Sequence, residues 1–168
     1  NFDFWINPLT DDQTDHTTTE WVFHKFDNNQ GFKIYTSEYD TVNGICNINI
    51  QISKSNDEYV VCTIPLITDK FQHISFIIEE TVNEGKHVKV YINGKLKNYN
   101  FVIDDISLDF KTIEFNQADI FIGNSKDDSK AGFNGLIDEF RFFISNQRSE
   151  IRILEETSEN IHSQEGLI

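Results

Sequence analysis

Five histidines, His16, His24, His73, His87 and His162, are the first residues to test for acid–base chemistry, because imidazole changes charge near neutral pH. They are scattered, and no Ser or Cys beside them sits in a nucleophile elbow. His73 and His87 fall on neighbouring candidate strands, where a structural role is the commoner outcome for a histidine pair. Carboxylates offer a second route. A retaining glycosidase needs two of them about 5 Å apart, which a strand supplies only from alternate residues, as in Glu-x-Asp-x-Glu. The chain has no such triplet: Asp138-Glu139 and Glu79-Glu80 are adjacent and so face opposite ways, and nothing orients Asp104-Asp105. The sequence reads as noncatalytic.

Oxygen ligands for a cation are better represented. Calcium takes six to eight oxygens from carboxylates, amides and carbonyls in loops. The loop from Asn124 to Lys130 offers Asn124, Asp127 and Asp128, diluted by Lys126 and Lys130. Asp27-Asn28-Asn29 and Asp11-Asp12 with Asp15 are further candidates. None has EF-hand spacing, and clustered Asp and Asn are also ordinary turn formers. A sugar would instead need an exposed aromatic ring to stack on, with amides and carboxylates for its hydroxyls. Trp21, Tyr35, Tyr39 and Tyr59 are the candidates, each equally suited to a core, whereas Trp5 belongs to the core. Cys46 and Cys62 share the apolar parity of their strands and read as buried thiols, offset by two or three residues across a hairpin and awkward to bridge.

The elements that must position these residues are strands. Apolar residues alternate at Phe2, Phe4 and Ile6, at Ile48, Ile50 and Ile52, and at Val60, Cys62 and Ile64. The last two runs flank Ser53 to Asp57 and form a hairpin. Further strands are expected at 21–26, 32–36, 74–78, 87–92, 120–122 and 135–144. Asn93-Gly94 marks a two-residue turn, since both residues accept positive φ. About ten short strands precede one helix, Gln147 to Glu156, which predicts an all-β antiparallel sandwich. The Thr10–Glu20 stretch is an exposed loop. The domain is expected over 1–156, with 157–168 a tail, linker or edge segment.

Composition closes off several classes. With 168 residues, 38% apolar and 13% aromatic, the chain can bury a core. The 28 acids against 14 bases give a net charge of −14, which repels phosphate backbones and makes nucleic acid an improbable partner. No apolar run is long enough for a membrane span. Met is absent, so the chain is expected to be a processed product or part of a longer chain or assembly.

Several of these stretches resemble one family. Phe71-Gln72-His73-Ile74 and Val90-Tyr91-Ile92-Asn93-Gly94-Lys95-Leu96 are similar to the central hairpin of laminin-G-like domains, in the concanavalin A-like lectin/glucanase superfamily. Ile120-Phe121-Ile122-Gly123 and Phe133-Asn134-Gly135-Leu136-Ile137-Asp138-Glu139-Phe140-Arg141 resemble its later strands. Ser149-Glu150-Ile151 resembles the start of its terminal helix, and Phe4-Trp5-Ile6-Asn7-Pro8 its first core strand. Tyr91 to Leu96 is also locally similar to the jelly-roll half of the clostridial neurotoxin receptor-binding region. Phe71 and Gln72 depart from the usual Trp and His, and the strand that the family usually has ahead of Phe4 is expected to be lacking. Gly94 and Gly135 fall where a turn or close crossing excludes a Cβ. Asp138 fits a structural acceptor of backbone hydrogen bonds better than a metal ligand.

The resemblance implies a two-sheet antiparallel jelly-roll sandwich (pentraxin-like, with a short C-terminal helix) and a lectin-like role. Calcium occurs in many such domains at the loop rim. Two functions follow as expectations. One is a noncatalytic module that binds glycan or polysaccharide, calcium-assisted in one version. The other is a structural or adhesion domain of a virion, phage or surface appendage that docks a protein partner. Either would be extracellular, on a cell surface or on a virion surface.

Overall fold

The computed structural model describes residues 2–10, 19–27, 30–53, 59–81, 85–97, 118–124 and 131–142. Eleven strands and no helix lie among them. The helix expected over Gln147–Glu156 and the segment 157–168 fall outside the described residues. The chain divides into two compact units, one of Asn1–Ile6, Phe71–Val102 and Asp138–Ile168, the other of Asn7–Lys70 and Ile103–Ile137.

The first unit carries most of a five-stranded sheet. Its order is β11 (Gly135–Phe142), β1 (Phe2–Pro8), β6 (Gln72–Thr81), β7 (Gly85–Ile92) and β8 (Lys95–Lys97). Phe4 lies opposite Ile74, and Ile74 opposite Ile92, so the apolar parity of three strands coincides on one face. Phe140 stacks on Phe4 at 5.3 Å and meets Phe2 edge-on at 6.3 Å. Each ring so buried stabilises by about 2 kcal/mol or more. The alternation suggested a half-buried β1, but Asp3 and Trp5 are buried too, at 2% and 5% exposure. Their face holds His73, Ser75, Ile77 and Tyr91, all buried.

His73 is the polar centre of that second face. Its Nε2 lies against the buried Asp3 carboxylate, and its ring lies 5.1 Å from Trp5. Its backbone N–H donates to Asn93 Oδ1 at 2.8 Å, while the Asn93 N–H returns to the His73 carbonyl at 2.8 Å. That exchange fixes the expected turn, with φ of 51° at Asn93 and 72° at Gly94. His87 lies opposite Glu79, about 20 Å along the strand from His73, so the two histidines are not neighbours. Burial, with the Arg141 guanidinium nearby, pushes the His73 imidazole down to about 4, against the opposite pull of Glu139.

The second unit carries a six-stranded sheet. β2 (Glu20–Asp27), β3 (Gln30–Asp40), β4 (Ile45–Ser53) and β5 (Tyr59–Ile67) pair antiparallel in chain order. Two short strands share the outer edge of β2: β9 (Phe121–Ile122) runs antiparallel against Phe23 and His24, and β10 (Ala131–Gly132) runs parallel against Glu20 and Trp21. A two-residue strand such as β10 leaves no periodicity to read, and it was not expected. β3 continues past the expected Thr36, because a bulge between Ser37 and Asp40, with Glu38 at φ 52°, breaks the alternation.

The apolar face of this sheet is dry. Cys46, Ile48, Ile50, Ile52, Cys62, Ile64 and Leu66 are each at most 2% exposed. Cys46 lies opposite Leu66 and Cys62 opposite Ile50, an offset of about 13 Å, wider than the spacing expected. Both thiols are free, and burial pushes each up to about 12. Glu20 Oε2 enters this face and is met by Tyr39, Thr36 and the Asn134 N–H at 2.7, 3.2 and 3.3 Å. Gly135 is tightly enclosed, as expected: a Cβ there would meet the Asn7 carbonyl and the Phe133 ring.

Gly31 closes the tight β2–β3 connection at φ 135°, where a Cβ would run into the Lys25 carbonyl oxygen. Gly31→Ala should therefore cost about 3 kcal/mol or more, read as a fall in urea midpoint. Gly123→Ala, with a similar φ sign but nothing within 4 Å, should cost only about 1 kcal/mol. His73 gives a pH prediction. A neutral imidazole held below its unfolded pKa stabilises fully above about pH 6.5, and that contribution is lost as pH falls towards 4. Up to about 3 kcal/mol should go over that window. Thermal melts across it should show a shallower slope for His73→Gln than for wild type.

Candidate functional site

Pleating sends the other half of β2–β5 to the opposite face, and register stacks those residues into rows. One row runs Trp21, Tyr35, Asn49, Thr63; the next runs His24, Lys33, Gln51, Val61; the third runs Phe26, Gly31, Ser53, Tyr59. The rows start aromatic on β2, turn polar on β4 and end on the edge strand β5.

The aromatic side is a connected group. Trp21 lies 5.4 Å from Tyr35 and 5.2 Å from His24, and His24 lies 5.9 Å from Phe26 and 6.2 Å from Phe121 of β9. Lys33 Nζ sits 3.5 Å above the Phe26 ring and 5.6 Å from Trp21. These are cation–π distances. A bulge between Trp21 and Phe23 brings Trp21 and His24 to one face despite their opposite parity.

The polar side is a hydrogen-bonded ladder. Thr63 Oγ1 donates to Asn49 Oδ1 at 2.8 Å, Asn49 Nδ2 donates to Ser37 Oγ at 2.7 Å, and Gln51 Nε2 donates to Ser53 Oγ at 2.9 Å. The first two bonds cross between strands and the third runs along β4; together they fix the directions of these groups, with Asn49 and Ser53 buried, Gln51 half-buried and Thr63 exposed. Tyr35 is half-buried on one side of the ladder and Tyr59 is 51% exposed on the other. Burial, and secondarily the Tyr59 phenol, raise the Tyr35 hydroxyl above its ordinary pKa. Rigid rings flanking amides and hydroxyls can hold a flat, hydroxyl-rich ligand by stacking and hydrogen bonding.

The four aromatics singled out from sequence separate here. Tyr35 and Tyr59 share the ladder face. Trp21 is on that face but only 8% exposed, so it supports its neighbours more than it meets a ligand. Tyr39 belongs to the apolar face: the bulge at Glu38 turns it inward, it is 8% exposed, and its hydroxyl donates to Glu20 Oε2. Lys33, Asn49 and Gln51 were not singled out. Their signal was the polar half of the same alternation.

For the cation loops, Asn124 is exposed at the end of β9, while Asp127 and Asp128 lie outside the described residues, as do Asn28, Asn29, Asp11, Asp12 and Asp15. Among the described residues no three His, Cys, Asp or Glu side chains gather. The Asp138 carboxylate accepts the Glu139 N–H at 2.8 Å. Among the described residues no helix is long and apolar enough to cross a membrane.

Residues 2–149 match the concanavalin A-like lectin/glucanases superfamily, in its laminin-G-like form. The chain belongs to this superfamily. Its two sheets fit the expected all-β jelly-roll class. The receptor binding domain of botulinum neurotoxin mosaic serotype C/D superposes with a TM-score of 0.60 at 19% identity, over 95% of this chain and 36% of that one. A heptameric SAP-like pentraxin from Limulus polyphemus gives 0.53 at 15% identity, over 95% of this chain and 69% of that one. The chain thus spans about a third of the toxin domains it matches, and identities this low speak for fold alone. No curated protein matches it in sequence.

Tyr39→Phe tests the division between the two faces. Removing the hydroxyl leaves buried Glu20 short of a donor, which should cost about 1–3 kcal/mol in urea unfolding. The native-state tryptophan fluorescence should stay unchanged, since Tyr39 bonds Glu20 and Thr36 on the face opposite the Trp21 ring.

Proposed function

We propose that this superfamily member is a noncatalytic, lectin-like recognition module that binds glycan or polysaccharide across the ladder face of its six-stranded sheet. The observation that carries this reading is the placement of Tyr35 and Tyr59 on one face, flanking the half-buried Gln51 amide and the exposed Thr63 hydroxyl. Stacking needs rings whose orientation is already fixed, and both come from strands, so little entropy is lost on binding. The shared fold supports it: one structural relative is a receptor-binding domain, another a pentraxin. The module would serve a longer chain on a cell, virion or extracellular surface.

A second reading, protein docking by a structural or adhesion domain, is favoured by a different feature. Ile45 and Ile67 are paired across β4 and β5 and are 38% and 51% exposed, with Val42 at 92% in the preceding turn. Calcium at Asn124, Asp127 and Asp128 is a further proposal, separate from the ladder.

A glycan array, run in calcium and again in EDTA, tests these together. Binding is expected, and Tyr35→Ala and Tyr59→Ala should each weaken it about tenfold, the equivalent of one lost ring contact. Binding lost in EDTA would add the metal to the site, and Asp127→Ala and Asp128→Ala should then reproduce the loss. Silence on a broad array from folded protein would move the function to protein docking.

A further inference from the structure

The edges of the two sheets are not equally protected. An edge strand offers N–H and C=O groups to any other strand, and charge, short length or a cover blunts that tendency. β8 is three residues long and carries Lys95 and Lys97. β11 carries Asp138, Glu139 and Arg141, all exposed. The outer edge of β2 is covered by β9 and β10. β5 is long and uncharged: the nine residues Tyr59–Ile67 include no acid or base, in a chain with 28 acids and 14 bases. It pairs with β4 from end to end without a bulge, and among the described residues nothing pairs with its other edge.

Pro65 shows which groups of β5 face outward. It lies opposite Asn47 within the unbroken ladder, and, lacking an N–H, it fits where its nitrogen points away from the neighbouring strand. Tyr59, Val61 and Thr63 share its parity, so their N–H and C=O groups also point to the outer edge. Pro65 ends that run and leaves a short stretch centred on Val61 that can accept another strand. On the ladder face, Tyr59 is 51% exposed, Thr63 is exposed and Val61 is half-buried.

This stretch is complementary to itself. Under a twofold axis at Val61, antiparallel pairing sets Val61 against the partner's Val61 and Tyr59 against the partner's Thr63. Each such pair can exchange both backbone hydrogen bonds, and an aromatic beside a β-branched residue is a favourable cross-strand match. The paired residues carry no charge, so the net −14 of each chain acts from a distance, where salt screens it. Asp57 and Glu58 precede Tyr59 in sequence, and an antiparallel twofold sets the two copies' acids at opposite ends of the seam.

We propose that β5 is an interface between two copies of this chain, joined antiparallel about Val61 into one continuous sheet. A strand of another protein would need its own match to Tyr59 and Thr63; a second copy supplies it by symmetry. The seam is shorter than a standard interface, so the dimer is weak and reversible. The inference does not depend on the glycan reading; where both hold, two ladder faces lie side by side.

Sedimentation of the intact chain from about 10 μM to about 1 mM, at low and at raised NaCl, tests this without any ligand. The mass should rise from that of one chain to that of two and stop there, and salt should favour the dimer. Val61→Lys sets like charges face to face and should weaken dimerisation about tenfold or more, in protein shown to be folded by circular dichroism. If that variant does not fold, Val61→Cys decides. Mild oxidation should cross-link it between copies, whereas Tyr59→Cys, about 13 Å from its twin, should stay uncross-linked. The native thiols, Cys46 and Cys62, are buried and do not compete. A single-chain mass throughout, assembly beyond two, a dimer unchanged in folded Val61→Lys, or no preference for cross-linking at Val61 would overturn the proposal and leave the lectin reading intact. Silence on the glycan array would remove the lectin reading and leave this one standing.

Discussion

Hydrogen-bonded register between β3, β4 and β5 is the constraint from which the rest of the second unit follows. Side chains alternate with period two, so slipping one strand by a single residue would exchange its faces entirely. With Ile34 opposite Ile50 and Tyr35 opposite Asn49, the apolar halves of all three strands coincide, and so by necessity do the polar halves. The dry face and the ladder face are therefore one event. The hydrophobic term fixes the register, because each misplaced isoleucine would forfeit about 2 kcal/mol of burial. The amide ladder then comes into alignment without needing to stabilise itself.

Bulges edit that rule at two places, and both bear on function. Inserting one residue reverses parity downstream. Around Val22 this lets Trp21 and His24 share a face, building the aromatic cluster on which Lys33 rests. Around Glu38 it does the reverse, drawing Tyr39 off the ladder face and into contact with Glu20. The buried Glu20 carboxylate would be expensive alone, and here it accepts from two side chains and a backbone amide, so the bulge and the buried acid stabilise one another.

Those two bulges also explain how much could be read from sequence. Strands with unbroken alternation, such as Ile48 to Ile52, were legible along with their hairpin, and so was the Asn93-Gly94 turn, whose two positive φ values suit those residue types. The distal part of β3 and the two residues of β10 were not, because parity changes or the run is too short to have one. The site was legible only in part. Tyr35 and Tyr59 were selected with Trp21 and Tyr39 as equals, since residue type says nothing about which face a bulge will choose. Asp3 with His73 was missed because a polar residue between apolar ones suggests solvent, while this sheet buries both faces of β1.

Buried polar pairs and the exposed ladder obey different physics, and the difference argues where recognition belongs. Asp3 with His73, and Glu20 with Tyr39 and Thr36, are enclosed; the Glu20 carboxylate is spent on its donors, and breaking that group costs stability and frees nothing for a ligand. On the ladder, Gln51 and Thr63 reach solvent and keep unused capacity. An amide such as Gln51 makes one bond to Ser53 yet has a second donor and two acceptor positions, and Thr63 is exposed beside Asn49. Fixed direction with spare valence is what a polyhydroxylated ligand requires. In the second unit the face that packs no core is the one that combines it with rings set by the strands.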